Sequence, residues 1–377
     1  MQPTKTAYGI WSGGRFMHFG ETLEEERMTN VIQHAYHKGI RTFLTADVYG
    51  GGAADELIGQ ALKEFPRESY CLVGAVGHDY YQGKREGAKG FPRFTDPRLR
   101  PSNQYKEYLK TATDKALKRC GVDKFDLLLL HNPDSTGYSS DSVWNAMVSL
   151  KDEGMTDLLG IAPGPANGFT LDLILNFERF GEVIDWAMII LNPLEPWPGK
   201  MCLPAAEKFN VDLITRVVDY GGLFHGDVLP GHNFGEGDHR TFRPEGWVEA
   251  GNEKIDQMRE YANKYGLSLL QLACAWNLSH APVKSVVPTL IQEAGDNAKP
   301  IEIKADELAE LPDVTLDAED MAAIEAIGNN KGCMALKGGN PTYDGDPVAD
   351  GWELNADLRS VAERWQITPE DDLVCTH

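Results

Sequence analysis

Short apolar runs recur along the chain, separated by longer stretches in which apolar positions return every three or four residues. The runs are YGIW (8–11), RTFLTA (41–46), YCLVGAV (70–76), FDLLLLH (125–131), TDLLGIA (156–162), DWAMIIL (185–191), VDLITRVV (211–218) and KSVVP (284–288). Several are almost continuously apolar, the pattern of parallel strands covered on both faces. Between them, LEEERMTNVIQHAYHKG, QYKEYLKTATDKALKRCG, DSVWNAMVSLKDEG and NEKIDQMREYANKYG carry helical periodicity. Each closes at or near a glycine, a common helix stop. Eight strands alternating with helices predict an α/β fold, the closed (β/α)8 or TIM barrel. A doubly wound open sheet is the alternative, weakened because no GxGxxG follows the first run.

A barrel of this kind takes about 250 residues, and the chain has 377. The surplus falls in long βα loops after the third run (GHDYYQGKREGAKGFPRFTDPRLRP) and the seventh (HGDVLPGHNFGEGDHRTFRPEGW). The rest is a tail from about residue 331, rich in Gly, Pro and Asp, that closes on one short helical pattern. The expected organisation is one barrel over 1–330 and an ordered C-terminal extension, 331–377, packed upon it.

With 42% hydrophobic residues the chain has ample material for a core, and the formal charge of −21 argues against nucleic acid and acidic membrane surfaces as partners. No apolar run approaches the roughly 18 residues of a membrane span, and MQPTKTAYGI carries no basic-then-apolar leader. The six cysteines are widely spaced, without CxxC or zinc-finger pairing. These features predict a cytoplasmic enzyme acting on a small molecule.

In such barrels the chemistry sits where strands end and βα loops begin. The strand ends carry Asp47 and Tyr49, His78 and Asp79, His131 and Asp134, Glu195, and Arg216 with Asp219. Tyr49 follows the second run and His131 ends the fourth, so both would point into one cavity as a phenol–imidazole proton relay. They read equally well as a rim aromatic and a core histidine. Three glycines follow Tyr49, as a sharp strand-to-helix turn requires. Trp11, Trp197, Tyr80 and Tyr81 would rim the mouth, with Trp11, Asp47, His78 and Arg216 as substrate contacts. His225, Asp227, His232 and His239 crowd one loop. Solvated histidines account for them, and no metal is expected.

The wording of several stretches resembles the aldo-keto reductase superfamily. FLTADVYGGGAADELIG is similar to its second strand and turn, DKALKRCGVDKFDLLLLHNPD to its fourth, and GGLFHG with GDHRTFRPEGW to its seventh loop. LSLLQLACAWNLSHAPVKSVVP resembles its approach to the eighth strand. The resemblance implies an NADP(H)-dependent carbonyl reductase with an Asp-Tyr-Lys-His tetrad. Tyr49 and His131 match; Leu44 stands at the aspartate and Ala75 at the lysine. The residues that hold nicotinamide in the family correspond to Ala162-Pro163, Met188 and Arg216, and Asn297 matches its adenine-side asparagine.

Joint replacement of a buried ion pair by two apolar residues avoids leaving one charge unpaired. With the nicotinamide contacts also replaced, the leading expectation is a redox-neutral enzyme of lyase, dehydratase or isomerase type. Tyr49 would be its acid, His131 its base and Arg216 an anion clamp. The alternative is an NAD(P)(H)-dependent oxidoreductase with an atypical site, in which His78, Lys84 or Arg85 stands in for the lysine. A non-catalytic binding protein is a third reading.

Overall fold

Alternation of side chains along strands buried on both faces divides the apolar residues into two bodies. The computed structural model of the chain describes residues 1–86, 90–164, 169–243, 245–331 and 354–373. In chain order its elements are β1 (Ala7–Gly9), α1 (Glu25–His37), β2 (Thr42–Leu44), α2 (Ala53–Leu62), β3 (Cys71–Val76) and α3 (Tyr105–Cys120). Next come β4 (Phe125–His131), α4 (Ser135–Ser139), α5 (Asp141–Asp152), β5 (Thr156–Ala162), α6 (Thr170–Phe180), β6 (Trp186–Ile190) and α7 (Leu203–Lys208). After them stand β7 (Asp212–Arg216), α8 (Trp247–Tyr265), α9 (Leu269–Leu278), β8 (Val283–Val287) and α10 (Ile301–Ala309). The last described helices are α11 (Ala318–Gly328), α12 (Ala356–Arg364) and α13 (Pro369–Asp372).

The eight strands pair in sequence order, all parallel, and a bridge from Thr6 to Val286 joins the first edge to the last. The fold is a (β/α)8 barrel. On β3, Cys71, Val73 and Ala75 face the interior with Leu127 and Leu129 of β4, while Leu72 and Val76 face the helices. Every predicted strand is present, and the β4 and β5 runs match residue for residue.

Helix α8 begins at Trp247, ahead of the predicted stretch, because a glycine and an asparagine hide its apolar face in the sequence. Val248, Gly251 and Asn252 are buried in its first turns, and Gly251 packs so closely on Leu223 that a Cβ would lie 2.3 Å from Cδ1. In the C-terminal segment, Arg364 and Trp365 bond Glu178 of α6, and the Trp197 indole donates to the Asp372 carbonyl at 2.5 Å. Residues 332–353 of that extension lie outside the described residues. The four described cysteines are buried and free. Among the described residues no helix is long and apolar enough to cross a membrane.

Candidate active site

Beyond β2 the backbone stays on the ladder briefly, Thr45 N–H donating to Val73 and Asp47 N–H to Ala75, and then turns through Tyr49–Gly52. Gly50, Gly51 and Gly52 have φ of +61°, +63° and +104°, a left-handed path that side-chain-bearing residues resist. A Cβ on Gly52 would lie 2.6 Å from Nε of Arg119, which Asp55 holds at 2.8 Å. The turn starts α2 and leaves the Tyr49 ring facing the barrel mouth.

A cavity of about 210 Å³ opens there, lined by Tyr49, His131, Trp11, Leu44, Ala75, Met188 and Arg216 among others. The Tyr49 and His131 rings meet edge to face at 5.7 Å, and Trp11 lies edge-on to Tyr49 at 6.4 Å. Tyr49 keeps some exposure, directed to the cavity. Burial raises its pKa and the Arg216 charge opposes the rise, so the hydroxyl is protonated at neutral pH. Burial, then His78, Arg93 and Arg216, hold the His131 pKa well below the usual histidine value. His131 is therefore a neutral imidazole at neutral pH and a weaker base than an ordinary histidine.

Other expected contacts are placed differently. Asp47 is buried outside the cavity lining, near Asp55 and Arg119, and neither carboxyl oxygen has a hydrogen-bond partner. Burial raises its pKa well above the aspartate norm, and the repulsion of Asp55 adds to this. His78 stands behind His131, ring centres 5.1 Å apart, with Nε2 3.1 Å from the Asn132 amide and a pKa lowered to about 3, mainly by burial. It backs the Tyr49–His131 pair without lining the cavity. Asn297, Lys84 and Arg85 are exposed and away from the lining. Of the four rim aromatics, Trp11 alone lines the cavity; Tyr80 and Tyr81 bond each other at 2.8 Å, and Trp197 packs toward the C-terminal segment. His225 Nε2 bonds the Thr289 carbonyl and Asp227 pairs with buried Lys304 at 2.7 Å. Both have structural partners. Among the described residues no group of three or more His, Cys, Asp or Glu converges as a metal ion requires.

The residues present do not fit a nicotinamide in the family's usual pose. A carboxamide needs hydrogen-bonding partners, yet the corresponding wall is Ala162, Pro163 and Met188. Arg216, which the resemblance sets at the family's ring-stacking position, donates from Nη2 to the carbonyls of Pro163, at 3.2 Å, and Gly164. Nearby Arg240 is already neutralised by Asp238 at 2.8 Å and Glu293 at 2.5 Å.

The sequence reading missed the N-terminal side of the site. Phe19, in the loop after β1, lines the cavity with His239 and Arg243 from the loop after β7. His239 N–H donates to the His18 carbonyl at 2.8 Å, and Gly20 N–H donates to Asp238 at 2.9 Å, which ties the two loops together. The charged, glycine-rich wording of GDHRTFRPEGW was the available signal.

The model of the aldo/keto reductase family matches residues 7–329. Probable aldo-keto reductase 1 of Glycine max is 25% identical over 297 residues, 77% of this chain and 79% of that protein. Versiconal hemiacetal acetate reductase of Aspergillus parasiticus is 26% identical over 298 residues, 74% of this chain and 83% of the relative. The structure of a glycerol dehydrogenase from Gluconobacter oxydans superposes with a TM-score of 0.65 at 24% identity, covering 85% of this chain and 90% of the other, a likeness of fold.

Proposed function

The chain belongs to the aldo/keto reductase family, and we propose that it is an oxidoreductase with an atypical active site, interconverting a carbonyl and an alcohol on a small substrate. The observation that carries this reading is the Tyr49–His131 contact in the wall of the barrel cavity. Tyr49 Oη, protonated, donates to the substrate oxygen as negative charge develops on it. Neutral His131 orients that same oxygen. The family's lysine is absent, so the charge that favours tyrosinate comes from Arg216. Relatives named as a reductase and as an aldo-keto reductase support this reading over the redox-neutral one that the sequence put first. Because the nicotinamide contacts do not fit, a hydride donor would be held by other residues.

Titration with NADPH and NADH, followed by reduction of a panel of aldehydes and ketones, tests the reading. Saturable micromolar binding with cofactor oxidation, lost in Tyr49→Phe, is the expected result. Absence of binding at millimolar cofactor overturns it.

One feature favours a second reading. Leu44 and Ala75, both buried in the cavity wall, replace the ion pair that activates the family's tyrosine. A protonated phenol beside a neutral imidazole also suits elimination or isomerisation without redox change. Cofactor-independent turnover of a hydroxy-carbonyl compound would establish that reading in place of the first.

A further inference from the structure

Three arginines are buried among the described residues: Arg100, Arg240 and Arg243. Arg100 pairs with Asp79, and Arg240 with Asp238 and Glu293. Arg243 has no such partner. It is 4% exposed, its side chain meets no carboxylate within ion-pair distance among the described residues, and Nε and Nη1 have no hydrogen-bond partner. Asp219, the acid whose field it influences, has its oxygens engaged by the N–H groups of Thr289 at 2.7 Å and Gly222 at 2.9 Å.

The guanidinium is nevertheless held firmly. It lies over the rings of Tyr220, at 4.4 Å, and Trp247, at 4.7 Å. Gly221, with φ of +67°, lets the backbone lie flat beside it, since a Cβ there would stand 3.3 Å from Nη2. Arg243 also lines the cavity that contains Tyr49. A positioned, buried guanidinium with two unbonded nitrogens, near Asp219 but in ion-pair contact with no carboxylate among the described residues, is an arrangement that binds a carboxylate, sulfate or phosphate group. Aromatic faces hold the cation without neutralising it.

We propose that Arg243 binds an anionic group of the substrate, so that the enzyme acts on small carbonyl or hydroxy compounds carrying a carboxylate, sulfate or phosphate. This rests on reading the barrel cavity as the substrate site. The cavity also holds Tyr49 and His131, and its wall at Ala162, Pro163 and Met188 offers a nicotinamide carboxamide no polar side chain, so the anion at Arg243 is assigned to the substrate and not to a cofactor.

The test is titration of the full-length protein with inorganic sulfate, inorganic phosphate and acetate, at ionic strength held constant with sodium chloride. Tryptophan fluorescence is the readout, since Trp247 stacks on Arg243. Saturable binding of at least one oxyanion is expected, weakened at least tenfold in Arg243→Gln. Arg243→Lys, which keeps the charge, should bind more tightly than the glutamine variant, and this comparison serves if Arg243→Gln alone folds poorly. Absence of saturable binding, or equal affinity in wild type and both variants, overturns the proposal. NADPH binding that falls in Arg243→Gln while the inorganic anions do not bind would also overturn it, by assigning the group to cofactor phosphate. Failure of NADPH binding and of carbonyl reduction, with anion binding intact, would remove the oxidoreductase reading and leave this one standing.

Discussion

Arg216, at the end of β7, donates to the main-chain carbonyl of Pro163 beyond β5, 3.2 Å away. β6 lies between those strands, so the guanidinium passes over its end and the apolar Met188 beside it. If Arg216 stands where the family stacks its nicotinamide, as the resemblance implies, a planar ring and this crossing arginine would compete for one space. Arg216→Phe removes the crossing and restores an aromatic face, and NADPH binding should tighten about tenfold, equivalent to roughly 1.4 kcal/mol. Fluorescence titration measures it; unchanged or weaker binding would mean that Arg216 does not occupy the cofactor's place.

Tyr49→Phe and His131→Ala should each lower kcat on the order of a hundredfold or more, the usual contribution of a positioned proton-transfer group. The pH profile is the sharper observation. Burial holds the His131 pKa well below the usual histidine value and raises that of Tyr49. Neither group then changes charge between about pH 6 and pH 9, given ordinary values near 6.5 and 10, and kcat should be flat across that range. An inflection near pH 6.5 that disappears in His131→Ala would contradict the neutral imidazole.

Leu44 and Ala75 line the same cavity on adjacent strands, where the resemblance implies the family's Asp and Lys. Leu44→Asp alone buries an unpaired carboxylate and should destabilise the fold by about 3 kcal/mol or more. Combining it with Ala75→Lys should recover at least about 1 kcal/mol of that loss as coupling between neighbours. Urea denaturation of the four proteins in the cycle gives the coupling. Strict additivity would mean that the two positions no longer address each other.

Asp47 supplies a pH dependence of known sign. Its carboxyl is buried and unbonded, and its folded-state pKa lies well above the ordinary 3.8. Below 3.8 both states are protonated and the group is neutral to stability. As pH rises from there toward the folded value, the unfolded chain ionises first and native stability falls by roughly 1.4 kcal/mol per unit. Asp47→Asn is spared this loss, so its melting temperature should gain on wild type with rising pH above about 4 and then level off. A constant difference from pH 4 to pH 8 would show that Asp47 is charged in the fold.

The eight strands and the paired placement of Tyr49 and His131 were legible because they depend on local pattern. A strand buried on both faces must be apolar throughout, and a side chain at a barrel strand's carboxyl end must lie near the mouth. Asp47 was misread although its signal was present. Alternation that turns Leu44 and Ala46 inward turns Thr45 and Asp47 outward, and the Thr45 hydroxyl indeed bonds Asp55. His78 and Asn297 were misplaced for another reason: each sits in an irregular loop, where no period fixes direction.

The sequence by itself determined the barrel and its strand order, since each is a matter of which residue type occupies which strand position. Tertiary structure alone decided how charge is distributed around the cavity. Arg240 and Arg243 lie three residues apart in one loop, yet Glu293 and Asp238 neutralise the first while Tyr220 and Trp247 stack on the second. Asp238 and Trp247 stand in the same stretch as the two arginines, but Glu293 and Tyr220 come from elsewhere in the chain, and Coulomb interaction depends on distance through the fold, not along the sequence.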